Sequence, residues 1–190
     1  MSEKINITFN YLNQFLSCDA GNGKLFWISR DREFFGLDRI FKSWNTRFAG
    51  REVARRKDTK GYWQVVIAGR PLQAHRVVWM MVNQQDIPHG LQIDHINGLK
   101  DDNSPSNLRL ATVSQNNRNA EVRSDSVSGF KGVSRDLNKW RARIQIDGKT
   151  KCLGRYDTIE EASEAYTREA DREYGEFALH KRPVTTENMK

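Results

Sequence analysis

The run Gly61-Tyr-Trp-Gln-Val-Val-Ile67, the break at Ala68-Gly69-Arg70 and the return Pro71-Leu-Gln-Ala74 predict a β-hairpin. Earlier in the chain, Gly23-Lys-Leu-Phe-Trp-Ile-Ser-Arg30 reads as a strand entered through an Asn22-Gly23 turn. Between the two, Arg51, Arg55, Arg56, Lys57 and Lys60 predict a mobile basic loop, either a solvated linker or a phosphate-contacting segment. His75–Val82 is apolar on most faces and predicts a buried helix. A turn at Pro88-His89-Gly90 leads to a short strand Gln92–Ile96, a polar loop Asn97–Ser106 and a returning strand Asn107–Thr112. Ser114 is placed to cap a helix running to about Glu121.

Beyond a polar stretch at 123–129, the pattern changes. Gly132–Arg135, Trp140–Ile146 and Lys151–Tyr156 read as three strands, with Asp147-Gly148 as a hairpin turn. Thr158-Ile-Glu-Glu161 is a capping box, and Ala162, Ala165, Tyr166 and Ala170 recur at helical spacing until Gly175. The fold class expected is α+β. It comprises N-terminal β-hairpins (1–70), a strand–loop–strand–helix module (71–122), a linker (123–129), a three-stranded antiparallel sheet packed on one helix (130–178) and a tail (179–190).

The net charge of +7 favours a polyanionic partner, nucleic acid before all others. Two cysteines, Cys18 and Cys152, are too few for a four-cysteine zinc framework, and a reduced, cytoplasmic protein is expected. No apolar run approaches the roughly 20 residues of a membrane span, and residues 1–6 lack the apolar segment of a signal peptide.

The polar residues of the central module carry the chemistry. His95 titrates near neutrality and can take a proton from water, provided its other ring nitrogen donates to a fixed acceptor. Asn107, which opens the returning strand, can supply that acceptor from its amide. Asp94 is a hard oxygen ligand suited to Mg²⁺ or Mn²⁺. Asn116, on the following helix, can complete the metal site with phosphate and water. Neighbours on a flat strand face opposite ways, so Asp94 and His95 share a site only where the strand bends or ends, as Asn97-Gly98 suggests.

In Gln92-Ile-Asp94-His95-Ile-Asn97-Gly98, Ser106-Asn107-Leu108-Arg109 and Gln115-Asn116-Asn117, the chain resembles the HNH endonucleases with their ββα-metal hairpin. Asn116 stands where the family name has its last histidine, a variation of the homing-type branch. The resemblance implies one divalent ion and no zinc. It implies DNA hydrolysis with His95 as general base, Asn107 as its orienting amide, and Asp94 and Asn116 as metal ligands. Products would carry 5′-phosphate and 3′-hydroxyl ends. Asn97, Asp102, Asn103 and Asn117 are read as turn or helix-surface residues, with Asn103 and Asn117 as alternative DNA contacts, and His75 as a packing or phosphate-contacting residue.

Residues 130–177 resemble the apetala-2 domain of plant ethylene-response factors in Lys131-Gly132-Val133-Ser134, Trp140-Arg-Ala-Arg-Ile144, Leu153-Gly154-Arg-Tyr-Asp-Thr158 and Glu160-Glu-Ala-Ser-Glu-Ala-Tyr166. Alternation also puts Trp140, Ala142, Ile144 and Ile146 on one face and Arg141, Arg143 and Gln145 on the other. Lys131, Arg135, Lys139, Lys149, Lys151 and Arg155 are expected to join a basic, acid-poor surface that enters a groove of double-stranded DNA. Arg55 and Arg56 extend the expected contact. A single nuclease module acts as a monomer or as a DNA-assisted dimer. The alternative from another class is a non-enzymatic, sequence-specific DNA-binding regulator.

Overall fold

The computed structural model describes residues 6–120, 122 and 126–178; the tail and residues 123–125 of the predicted linker lie outside them. The architecture is α+β, built from small antiparallel sheets with helices against them. Contacts divide the chain into two units, Met1–Thr112 and Val113–Lys190.

In the first unit, Thr8 caps a short helix, α1 (Phe9–Leu12), by accepting a hydrogen bond from the Tyr11 N–H. β1 (Leu16–Cys18) and β2 (Leu25–Trp27) form the first hairpin, with Leu16 opposite Trp27. The strand predicted over 23–30 is trimmed to its apolar centre. There follows α2 (Asp38–Phe48), a helix the sequence analysis did not predict although Ile40, Phe41, Trp44 and Phe48 recur at helical spacing.

β3 (Arg55–Lys57), β4 (Trp63–Ile67) and β5 (Arg70–Gln73) make a three-stranded antiparallel sheet in that order. The basic run expected to be a mobile loop is instead an edge strand, with Arg55, Arg56 and Lys57 opposite Val65, Gln64 and Trp63. Main-chain pairing is indifferent to side-chain charge, and at an edge all three cations stay exposed to water. The β4–β5 turn forms as expected, with Ala68 and Gly69 both at positive φ (49° and 72°).

α3 (Ala74–Asn83) is the buried helix its apolar faces predicted; it hides Ala74, His75, Val77, Val78, Trp79, Met80 and Met81. Behind it, β6 (Leu91–His95) pairs with β7 (Leu108–Thr112), Asp94 opposite Arg109 and His95 opposite Leu108. Leu12, Leu16, Leu25, Val65, Ile67, Val77 and Val78 are fully buried, and one core joins them to Ile93 and Leu108. Each such side chain contributes about 1.5–3 kcal/mol on burial. The N-terminal hairpins and the β6–β7 hairpin are thus held by the same apolar cluster, with α3 at its centre.

The second unit opens with α4 (Val113–Asn119), which follows β7 directly. Ser114 lies inside this helix and does not cap it. The sequence grouped α4 with the preceding hairpin, but within its unit it is tied down by Lys131, whose Nζ donates to the Arg118 carbonyl at 2.7 Å. The Arg118 guanidinium also lies 4.7 Å from the Tyr174 ring centre. β8 (Val133–Asp136), β9 (Lys139–Ile146) and β10 (Lys149–Tyr156) form an antiparallel sheet ordered β8-β9-β10, covered by α5 (Ile159–Tyr174). The capping box is present: the Glu161 N–H donates to Thr158 Oγ1, and the Thr158 N–H to Glu161 Oε2, each at 3.2 Å. The core here is small: Val133, Ala142, Ala162 and Ala165, flanked by Trp140, Leu153, Tyr156 and Ile159. Among the described residues, no helix is long and apolar enough to cross a membrane.

Candidate active site and nucleic-acid interface

His95 is the last residue of β6 and is 5 % exposed. Its ring lies 4.9 Å from that of His75 and 5.9 Å from that of Tyr62, centre to centre, while Tyr62 and His75 are 5.2 Å apart. His95 Nε2 is 3.1 Å from Asn103 Oδ1. An amide oxygen only accepts, so Nε2 carries the proton and Nδ1 carries the lone pair. Burial lowers the His95 pKa, and the hydrogen bond to Asn103 opposes that shift without reversing it. The ring is therefore neutral, as a base must be.

Asn107 does not hold His95, contrary to the sequence-based expectation. Its Oδ1 accepts from the Asn97 N–H at 3.0 Å, and its Nδ2 donates to Asn97 Oδ1 at 3.0 Å and to the Asp102 carbonyl at 2.8 Å. Asn97 Nδ2 in turn donates to Asp102 Oδ2, and the Ser104 hydroxyl to Asp102 Oδ1. That hydroxyl bond is the main cause holding the Asp102 carboxyl below its usual range. Asn107 thus closes the polar loop, and the closed loop presents Asn103, 5 % exposed, to the imidazole. Asn103 was read as a turn or surface residue. Nothing in the spacing separates two asparagines of one loop as partners of one histidine.

The first hairpin also reaches this point. Gly23 has φ of +68°, and a Cβ there would sit 2.1 Å from the Asn103 carbonyl oxygen. Glycine is needed both for the backbone conformation and for the approach.

Asp94, 4 % exposed, meets Arg109 across the hairpin: Arg109 Nε donates to Asp94 Oδ2 at 2.9 Å, and Nη2 lies 2.9 Å from the same oxygen. The pair is buried on both sides, so each charge relies on the other in place of water. Asp94 and His95 engage different partners, as strand alternation requires, and β6 ends at His95. Among the described residues, no group of three or more His, Cys, Asp or Glu side chains is placed to hold a metal. The donors present are a carboxylate and neutral amides. That set fits a hard ion completed by water and substrate phosphate oxygens, the habit of Mg²⁺, and does not suit a thiolate-bound metal. Asn116 lies on α4 in the second unit.

His75 is a packing residue with a titration of its own. It is 4 % exposed, its Nδ1 has no hydrogen-bond partner among the described residues, and burial, then the charge of His95, push its pKa down to about 3 from an ordinary 6.5. The unfolded chain binds a proton below pH 6.5 that folded His75 refuses until about pH 3, so stability falls with pH across that window. At pH 5 the loss attributable to His75 is expected to be about 2 kcal/mol, at 1.36 kcal/mol per pH unit. Urea unfolding of the wild type and of His75→Phe at pH 7 and pH 5 measures it. The substitution should flatten the acid loss, and an equal loss in both proteins would discard this account.

In the second unit, strand register sorts the predicted DNA-contacting residues. Lys139, Arg141, Arg143, Gln145 and Arg155 share the face away from α5, opposite the buried Ala142 and Ile144. Lys151 does not: it pairs with Ile144 in register, and its Nζ bonds Glu169 of α5 at 2.6 Å. Arg135 lies over Trp140, its centre 5.0 Å from the ring, and Lys131 is engaged by the Arg118 carbonyl. Nor is the outer face poor in acids, as expected from sequence. Asp136 pairs with both Arg141 and Arg155, and Asp157 with Lys139 at 2.9 Å. Arg143 Nη2 donates to the Ser134 hydroxyl at 3.4 Å. In the first unit, Arg55 pairs with Glu52 at 3.0 Å and lies over Trp63, whereas Arg56 is exposed.

The family model described as HNH endonuclease matches residues 72–118, which contain Asp94, His95, Asn103, Asn107 and Asn116. Protein 3.8 of Escherichia phage T7 is 33 % identical over 121 residues, 63 % of this chain and 96 % of that protein. The chain carries an HNH endonuclease domain over residues 72–118. An uncharacterized HNH endonuclease of Acanthamoeba polyphaga mimivirus is 34 % identical over 107 residues, which is 56 % of this chain and 56 % of the relative's length. A solved structure described as DNA binding and cleavage by the HNH homing endonuclease I-HmuI superposes with a TM-score of 0.37. It is 21 % identical and covers 79 % of this chain and 76 % of that one, a likeness too low to argue from. For an HNH protein, the local arrangement around His95 is the part that bears on chemistry.

Proposed function

We propose that this HNH protein is a metal-dependent endonuclease that nicks or cleaves double-stranded DNA in the manner of a homing enzyme. The observation that carries the reading is the neutral, buried His95, fixed through Nε2 by Asn103, at the end of a strand whose previous residue is a buried carboxylate. His95 Nδ1 takes a proton from water as its oxygen attacks phosphorus in line. The P–O3′ bond breaks, the departing oxygen is protonated by solvent, and the ends are 5′-phosphate and 3′-hydroxyl. Asp94 is proposed to hold a divalent ion, Mg²⁺ or Mn²⁺, with Asn116 assigned as second ligand by its place in the motif. Such an ion supplies charge neutralisation at the scissile phosphate and the 3′ oxygen. The work of the chain itself is to keep His95 uncharged and aimed through Asn103, and to hold the Asp94 carboxylate in place through Arg109.

The second unit is proposed as a positioning module of the apetala-2 type. A three-stranded sheet with one helix behind it and Arg141, Arg143 and Gln145 in front supports this. A single catalytic histidine cuts one strand per encounter, so nicking by a monomer or paired cuts by a DNA-assisted dimer are both within the proposal. Incubation with supercoiled plasmid in Mg²⁺ should yield nicked circles, EDTA should abolish them, and ligase should reseal the product. Retarded DNA in a gel without any nicked product would instead identify a DNA-binding regulator.

A further inference from the structure

We propose that α2 is a DNA-backbone clamp, docking on duplex phosphates through Arg39, Lys42 and Arg47. The choice of partner rests on the nuclease reading, and the surface rests on the helix itself. α2 spans eleven residues and buries none of them. One side is nevertheless anchored. Trp44 lies 3.9 Å beneath the Arg30 guanidinium and 5.8 Å from the Trp27 ring centre. Asn45 bonds both the Arg30 N–H and the Arg30 carbonyl, each at 3.0 Å. At 100° per residue, Arg39 lies opposite the Trp44–Asn45 side, with Lys42 and Arg47 on its two flanks, and all three are exposed.

Two features separate this arc from an ordinary solvated helix face. The one acid of α2, Asp38, is paired with Arg32, while Asp31 and Glu33 precede the helix at its N-terminal end. Among the described residues, Arg39, Lys42 and Arg47 form no ion pair. On the sheet of the second unit, by contrast, Asp136 and Asp157 already neutralise Arg141, Arg155 and Lys139, and a cation so paired must release its carboxylate to take a phosphate. The second feature is a shallow groove of about 420 Å³ on the Arg39–Arg47 flank of the helix, bordering the anchored side; Lys42 lies outside it. Ile40, Trp44 and Phe48 line it as the apolar part, with Arg39 and Arg47 as cationic walls. Deoxyribose against the apolar part and phosphates against the walls match that chemistry. Arg39 and Arg47 are eight residues apart, about 12 Å of helix rise, so they meet different phosphates.

Binding of a fluorescent random-sequence duplex, followed by anisotropy in EDTA across a salt series, tests the clamp. Each phosphate contact adds about 0.9 to the slope of log affinity against log salt. The triple variant Arg39→Gln, Lys42→Gln, Arg47→Gln should lower that slope by two to three, and each single variant by about one. An equally charged control, Lys24→Gln, Arg168→Gln, Arg172→Gln, should change it far less. Variant slopes equal to wild type, or a control as shallow as the triple variant, would overturn the clamp alone. A duplex RNA bound more tightly than the DNA would overturn its partner, and failure of the wild type to bind duplex DNA at any salt would remove the nuclease reading beneath it.

Discussion

Alanine at His95 is expected to leave duplex binding intact while slowing nicking by about 10²–10⁴ at saturating DNA, the usual contribution of a positioned general base. The magnitude follows from position as well as residue type. The imidazole is 5 % exposed, its Nε2 is fixed on Asn103, and burial holds it neutral, so no preliminary deprotonation limits it near pH 7. The neutral form also persists to lower pH than for a free imidazole, so the acid limb of the rate profile should lie below pH 6.5. Asn103→Ala should slow nicking by a smaller factor, about 10–10², the size typical of a partner that orients a reacting group. Asn107→Ala should act first on stability, since it removes three hydrogen bonds that close the loop. Single-turnover nicking of supercoiled plasmid ranks the three. Equal rates for His95→Ala and wild type would take His95 out of the mechanism, and a larger loss from Asn107→Ala than from Asn103→Ala at matched stability would reverse the assignment of the orienting amide.

Asp94→Ala is expected to abolish metal-dependent nicking and to destabilise the first unit by about 3–5 kcal/mol, the cost of removing one partner from a buried ion pair. Asp94 is 4 % exposed and the Arg109 side chain 11 %, so solvent does little to replace the lost carboxylate. Replacing both groups with apolar residues of similar size, as in Asp94→Leu with Arg109→Met, should recover much of the stability and none of the activity. Chemical unfolding gives the first quantity and plasmid nicking the second. Activity recovered along with stability in the double variant would show that Asp94 serves only the fold.

Much of this architecture was legible in local pattern. The helix over 75–82 and the hairpin at 61–74 each follow from a short-range rule, and so do the pairing of Leu91–His95 with Leu108–Thr112 and the capped helix after Thr158. α1, β1, α2 and β3 escaped, and the last two show why. α2 carries its apolar residues at helical spacing but in a short, highly charged segment, and β3 has no alternation at all. α2 has no side-chain cap and buries nothing; its stability comes from Trp44 against Arg30 and Asn45 on the Arg30 backbone, contacts that span fifteen residues. β3 is a run of three cations, with strand geometry imposed by β4 through main-chain hydrogen bonds.

The candidate site divides in the same way. Through the resemblance of Asp94, His95, Asn107 and Asn116 to the HNH motif, the sequence by itself pointed to an endonuclease, because the functional groups of that motif are covalent facts of the chain. Tertiary structure alone decided which amide faces the imidazole. Asn97, Asp102, Asn103 and Asn107 compete for the same few donors and acceptors, and closure of the loop distributes them. Tertiary structure likewise decided which cations are already neutralised: pairing of Arg141 and Arg155 with Asp136, and of Lys151 with Glu169, depends on strand register and helix placement that no count of charges contains. Functional groups are written in the chain, whereas their partners are chosen by folding, since hydrogen bonds and ion pairs act over a few ångströms between residues far apart in sequence.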